Sequence, residues 1–310
     1  MGWRGVPVAG RVEFAATVVI PTYNRAELLR QTLVGLTRQD CADFEVVVVD
    51  DGSRDDTERV VAAFTGRLEI SYRFQEDLGC RVAAARNAGI RAARGEVCVF
   101  LDDGMLPSTR LVRSHLEVHR RAPDRVAVVG YAWAFRGVSR LPPEVAGAID
   151  HRDVDASVTR LAAAGPAARD MRDDYFYDRF GDDLSVQPAP WVTFWACNTS
   201  ARRGDLFVVG LYDEEYRQWG FEDLDLGYRL FCAGVRFELC RAAAAVHAPH
   251  ELDETANQRS DLENKRHFHA KFRNRVSELA LATPYNLEIN ALLLAERAVP
   301  APRGEAVAPA

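Results

Sequence analysis

An α/β fold, with a mostly parallel central sheet and helices on both faces, is the architecture this sequence predicts, and three observations predict it. Apolar strand-like runs alternate with helical-period segments four times over residues 17–101. The runs are apolar without interruption, as in Val46-Val47-Val48-Val49, which marks strands buried on both faces. Several of them end in clusters of Asp, Asn, Gly or Ser, at the strand ends where open parallel sheets bind ligands.

The elements follow in order. Residues 1–14 read as a flexible leader. Thr17, Val18, Val19 and Ile20 form a β-branched strand ending at Pro21. Leu28, Leu29, Leu33 and Leu36 recur at helical spacing over residues 25–38. Residues 44–49 are a second strand, 55–64 a second helix and 70–74 a third strand. An Ala-rich helix covers 82–93, and a fourth strand covers 97–101. Right-handed crossovers between such strands give a Rossmann-like, nucleotide-binding half. Residues 126–133 predict a strand. The stretch 137–190 has weak periodicity, a charge-dense segment from Arg169 to Asp174, and the aromatics Tyr175, Phe176, Tyr177 and Phe180. It reads equally as a functional lid or as a solvated helix pair with an aromatic anchor. Strands are expected at 235–239 and 243–247, a long helix at 254–282 and another at 285–297. Residues 298–310 read as a disordered tail.

Composition narrows the function. The chain has 310 residues, 39 basic and 45 acidic, for a net charge of −6, which argues against broad nucleic-acid binding. Six cysteines with no Cys-x-x-Cys pair fit reduced thiols. No apolar run approaches the roughly 18 residues that read as a membrane span, so a cytoplasmic enzyme is expected, with room for a peripheral role at the inner membrane face.

The densest chemical signal is Trp219-Gly220-Phe221-Glu222-Asp223-Leu224-Asp225. Trp219-Gly220 predicts a turn, and Leu226 and Leu230 share a helical face beyond it. Glu222 and Asp223 then stand at the helix start, where free backbone N–H groups favour negative charge. An acidic pair beside a Trp suits gripping a sugar and removing a proton from its hydroxyl. An amphipathic helix with an acidic first turn is the plainer alternative. Asp50-Asp51-Gly52-Ser53 and Asp102-Asp103-Gly104 stand at strand ends with Pro21-Thr22-Tyr23-Asn24-Arg25. Any one of them could be an ordinary turn, but three on one sheet edge point to a site.

Together these segments, with Ala85-Arg86-Asn87-Ala88-Gly89, resemble the family 2 glycosyltransferases of the GT-A nucleotide-diphospho-sugar fold over roughly residues 15–250. The Trp219 segment resembles the C-terminal half shared with galactosyltransferases, with Phe221 where the relatives carry a second Gly. The resemblance implies a domain over 15–250, divided into a nucleotide-binding half (15–104) and an acceptor half (105–250) containing the 137–190 insertion. Helices over 251–297 would follow and mediate homodimer contacts.

The same resemblance implies the site. Pro21, Thr22 and Tyr23 would line the nucleobase pocket beside Arg25. Asp51 would accept the base N3–H, supported by Asp50. Arg86, or else Arg81, would meet the base or diphosphate. Asp102 would meet the ribose or sugar. Asp103 and His247, with His250 in reserve, would hold a divalent cation, Mn2+ or Mg2+. Gly104 departs from the third acidic residue of many relatives. Asn198 and Ser200 would face the donor sugar. Asp223 would be the catalytic base, and Glu222 and Trp219 would bind the acceptor. The implied reaction is metal-dependent, inverting transfer from a nucleotide-diphospho-sugar, with a UDP-sugar expected, to a glycan, lipid-linked or small-molecule hydroxyl. A retaining transferase of the same fold and a non-catalytic sugar-nucleotide-binding protein stay open as alternatives.

Overall fold

The computed structural model describes residues 13–250 and 254–298. The expected leader, apart from Glu13 and Phe14, and the expected tail beyond Ala298 lie outside the described residues, as do 251–253. The first half follows the predicted alternation: β1 (Phe14–Thr22), α1 (Ala26–Leu36), β2 (Phe44–Asp50), α2 (Thr57–Ala62), β3 (Ile70–Phe74), α3 (Val82–Ala92) and β4 (Gly95–Leu101). Val18, Val46 and Val99 are fully buried, as their unbroken apolar runs require. Gly89 lets α3 lie against β1, since a Cβ there would come within 2.4 Å of Val19 Cγ1. That close approach fixes the helix that carries Arg86.

Beyond β4 the chain forms β5 (Met105–Pro107), α4 (Leu111–Arg121) and β6 (Val126–Trp133). The insertion follows, with α5 (Pro143–Ala146), α6 (Val154–Ala163), a π-helical turn (Asp173–Tyr177) and α7 (Asp178–Phe180). Then come β7 (Asn198–Arg202), α8 (Arg203–Val208), α9 (Glu222–Cys232), β8 (Arg236–His247), α10 (Glu254–Phe272), α11 (Arg275–Ala282) and α12 (Ile289–Ala298).

All eight strands make one sheet in the order β3-β2-β1-β4-β7-β6-β8-β5. The half from β3 to β4 is parallel, as expected. The other half is mixed, because β7 enters antiparallel between β4 and β6 and β5 closes antiparallel on β8. The two strands expected at 235–239 and 243–247 are one strand, β8, whose register against β6 shifts between Gly130 and Tyr131. At that irregularity Arg241 turns to Asp173 and Asp182. The single helix expected at 254–282 is two. Arg273 takes φ +46°, and Asn274 starts α11 with a reciprocal capping box to Ser277.

The insertion is not a solvated pair of helices. Asp170 and Arg172 are fully buried and paired at 2.5 Å, and Arg172 also donates to the carbonyls of Thr193 and Gly130 at 2.9 Å each. A buried charge must be paired in this way, so the charge-dense segment binds the insertion to β6 and to the chain entering β7.

A second buried polar system runs along α4. Asn198 donates both amide hydrogens to the carbonyls of Tyr131 and Ala243, so its Oδ1 accepts from His115 Nε2 at 3.0 Å. His115 Nδ1 then accepts from the Ser200 hydroxyl, which accepts in turn from His119 Nε2 at 2.8 Å. Burial pushes His115 down to about 4 and His119 to about 3, so both are neutral near pH 7.

Two outcomes are expected. An unfolded histidine titrates near 6.5, so below that pH the unfolded chain binds protons that the buried pair refuses; stability therefore falls as pH drops from 6.5 towards 4, by about 2–3 kcal/mol per pH unit once both unfolded rings are charged. Urea titrations at pH 7.5, 6 and 5 measure it. Arg172→Met, which strands Asp170, should cost about 3–5 kcal/mol, and Asp170→Leu in the same chain should recover much of the loss.

Candidate active site

The topology gathers the site at one sheet edge. β1, β2 and β4 run parallel and end together at Thr22, Asp50 and Leu101. β6 runs antiparallel to β7, and β7 antiparallel to β4, so β8, parallel to β6, brings His247 to the same edge. β7 begins there, with Asn198 in register with Leu101.

Arg86 occupies the centre. Its guanidinium is buried and donates to Glu222 Oε1 at 2.8 Å, Asp102 Oδ1 at 3.0 Å and Asp223 Oδ1 at 3.1 Å. The ring of Tyr212 lies 5.5 Å from it. Burial alone would lower its pKa, but Asp223 and Asp102 more than reverse this, and Arg86 stays charged. Arg86 thus sits in an ion cluster with three carboxylates. It is no helix-surface pair.

Glu222 and Asp223 stand in the first turn of α9, as predicted. The residue before them, Phe221, takes the left-handed φ of +74°, a conformation that favours Gly. Its ring is buried against Phe268 at 4.9 Å, which offsets the strain of a side chain in that conformation. The second oxygen of Asp223 accepts the Ala196 N–H at 2.9 Å. Burial, then Glu222 and Asp102, push the Asp223 carboxyl up to about 7 against the opposing pull of Arg86. Glu222 Oε2 and the Tyr212 hydroxyl are buried without a hydrogen-bond partner. Trp219 is 56% exposed. Its carbonyl and that of Gly220 accept from Asn264 Nδ2.

At the end of β2, Asp50 braces its loop by accepting from the Gly52 and Ser53 N–H groups and the Tyr72 hydroxyl. Asp51 accepts from Gln75 Nε2 at 2.5 Å and from the Arg81 N–H at 2.7 Å. Pro21 and Thr22 end β1. Tyr23 is largely exposed and donates its hydroxyl to Asp77 at 3.2 Å. Gln75 was not anticipated, although it directly follows β3 and so stands at the ligand-binding end of a strand.

Two expectations are corrected. Asn198 and Ser200 do not face a sugar: both are fully buried in the histidine network of α4. Asp103 is not a free ligand, because Thr22 Oγ1 donates to it at 2.8 Å and Arg25 pairs with it at 3.2 Å. Burial raises its carboxyl to about 6.

The donor set for a cation is therefore small. Among the described residues, no group of three or more His, Cys, Asp or Glu could hold a metal ion. Gly104 has φ +83°, and a side chain there would meet Leu28 at 3.5 Å. Asp102, although paired with Arg86 at 3.0 Å, keeps a side chain 37% exposed, and His247 feels its charge. Burial, then His250, hold His247 at about 4, so its imidazole is neutral and able to ligate. One carboxylate and one imidazole fit a hard or borderline divalent ion that takes its other oxygens from a bound diphosphate.

Comparisons with known proteins match two stretches of the chain. A profile described as "Glycosyl transferase family 2" matches residues 17–157, and one described as "N-terminal domain of galactosyltransferase" matches 183–251. Validoxylamine A glucosyltransferase of Streptomyces hygroscopicus subsp. jinggangensis is 41% identical over 266 residues, covering 85% of this chain and 62% of the relative. Chondroitin synthase of Escherichia coli is 32% identical over 74% of this chain and 34% of its own length. The chain thus spans about three fifths of the first of these relatives and a third of the second. Among solved structures, mannosyltransferase PcManGT of Pyrobaculum calidifontis, in complex with GDP-Man and Mn2+, superposes with TM-score 0.57 at 20% identity, over 97% of this chain and 80% of that one. S. aureus TarS 1-349 in complex with UDP-GlcNAc gives 0.56 at 17% identity, over 88% and 72%. These structures share the GT-A fold. No helix among the described residues is long and apolar enough to cross a membrane.

Arg86→Ala should leave three clustered carboxylates without their cation. We expect a thermal midpoint lower by several degrees at pH 7.5, with the loss shrinking at pH 5.5 as carboxyls such as Asp223 take up protons. Calorimetric melts at both pH values read this directly.

Proposed function

The chain belongs to glycosyl transferase family 2, and from that premise we propose that it transfers a sugar from a UDP-sugar to a hydroxyl acceptor with inversion at the anomeric carbon, Asp223 acting as the base. The observation that carries this reading is Asp223 itself. Its carboxylate is fixed by Arg86 on one oxygen and by the Ala196 N–H on the other, with its pKa raised to about 7.

A base of that strength holds a proton taken from an acceptor hydroxyl better than an ordinary carboxylate and is still half ionised at neutral pH. The acceptor oxygen attacks the anomeric carbon as its proton moves to Asp223, and the nucleoside diphosphate departs from the opposite face. Glu222, with one buried oxygen unpartnered, is suited to accept a substrate hydroxyl. Arg86 holds the clustered carboxylates in place, so little reorganisation accompanies the reaction.

Asp51 supports a uracil base. A carboxylate only accepts, which matches the imide N3–H, and Gln75 beside it adds a donor for a neighbouring carbonyl. A Mn2+ or Mg2+ ion held by Asp102 and His247 would supply positive charge against the diphosphate of the leaving nucleotide.

UDP should bind the wild type by calorimetry, and Asp223→Asn should bind it equally while losing about 10²–10⁴-fold in transfer rate. The transfer rate should rise through an acid limb near pH 7 as Asp223 deprotonates. A product of retained configuration, or full activity in Asp223→Asn, would overturn the assignment.

A further inference from the structure

We infer that Phe135 is a positioning residue of the cation site: its ring, in place of a hydrogen bond, holds the His247 imidazole in one orientation. The inference rests on the reading of His247 as a cation ligand.

A histidine that ligates a metal usually donates its other ring N–H to a carboxylate, a carbonyl or water, which fixes both ring and tautomer. Among the described residues, none makes a hydrogen bond to the His247 ring. The torsion that turns an imidazole on its Cβ is soft and roughly two-fold, so the ring is oriented by what packs on it. Phe135 makes that contact directly. The two rings lie 4.9 Å apart at 81°, the edge-to-face arrangement that aromatic pairs prefer. His250 adds a second ring at 5.0 Å, tilted by 55°.

Phe135 is itself held on several sides. β6 ends at Trp133, and Ala134 turns the chain with a left-handed φ of +59°, uncommon for a residue with a side chain. The Ala134 N–H donates to the Ala168 carbonyl at 2.8 Å, and the Phe135 carbonyl accepts the Met171 N–H at 2.9 Å. The Phe135 ring also lies 5.7 Å from that of Trp195, over which the buried Arg172 guanidinium sits at 5.2 Å. Backbone outliers of this kind persist only where surrounding contacts enforce them, and they gather at functional sites. Here the turn delivers one ring against the imidazole. Phe135 carries no charge, so its removal leaves Asp102 and Arg25, the charged groups that act on His247, as they are and alters what restrains the ring.

The test titrates Mn2+ into the full chain saturated with UDP and reads the free ion by electron paramagnetic resonance. Phe135→Leu and the longer Phe135→Met should each weaken Mn2+ binding roughly 10–100-fold, the range for lost partners of metal-ligating histidines. Phe135→Tyr, which keeps the flat ring, should bind like the wild type. Unchanged melting temperatures would show that the variants are folded. In the metal-free protein, NMR relaxation should report a fixed His247 ring in the wild type and a mobile one in Phe135→Leu. Wild-type Mn2+ affinity in both aliphatic variants, or an imidazole equally rigid without the phenyl ring, would overturn the inference. His247→Ala is the separate check: Mn2+ held as tightly without the imidazole would strike the assignment of His247 as a ligand, and the inference with it. Failure of the wild type to bind UDP would instead strike the transferase reading itself.

Discussion

One arginine holds this molecule's chemistry together. Arg86 comes from α3 and reaches Asp102, directly after β4, and Glu222 and Asp223 of α9. Three acidic side chains this close would repel one another apart. With the guanidinium among them, Asp102 and Asp223 stand close enough to serve one reaction. Gly89 is part of the same device: without a Cβ it lets α3 lie flat against β1, and so sets how far Arg86 reaches.

Much of this was legible in the sequence because the strands of the first half are buried on both faces. Unbroken apolar runs locate β1, β2 and β4, and their ends locate Asp51, Asp102 and Asp103. The acidic turn of α9 was legible for a similar reason, since its leucines mark the helix and place Glu222 and Asp223 at its start. Other features left no such trace. α4 turns His115, His119 and Ser114 inward, so its buried face does not read as apolar. β5 has three residues, too few for a period. Asn198 opens β7 in a family-like motif, yet its amide is spent on backbone carbonyls across the sheet, a long-range fact that local sequence does not encode. The same holds for Asp103, whose partners Thr22 and Arg25 lie some eighty positions earlier.

The insertion illustrates how charge can mislead. Its Arg and Asp residues look solvated when read in a row, but the pairing of Arg172 with Asp170 is wholly internal. Arg169 and Arg241 crowd the neighbouring Asp173 from either side. Such a network has strict geometry, and it fixes a segment that would otherwise be a loose excursion from the sheet.

The pairing of Leu101 with Asn198 has a consequence of its own. It places the end of β4 beside the chain entering β7, so the separation between Asp102 and the Ala196 amide that grips Asp223 is set by strand register. A slip of one residue would displace that amide by about 3.3 Å and turn its neighbours to the opposite face. The nearly one hundred residues between the two strands do not enter that distance. Loops in this span can lengthen, shorten or change sequence while the spacing of the reacting groups stays constant, provided the anchors at Gly130 and Thr193 persist. The fold therefore separates two variables: the insertion can change while the register that spaces Asp102 from the Ala196 amide stays fixed.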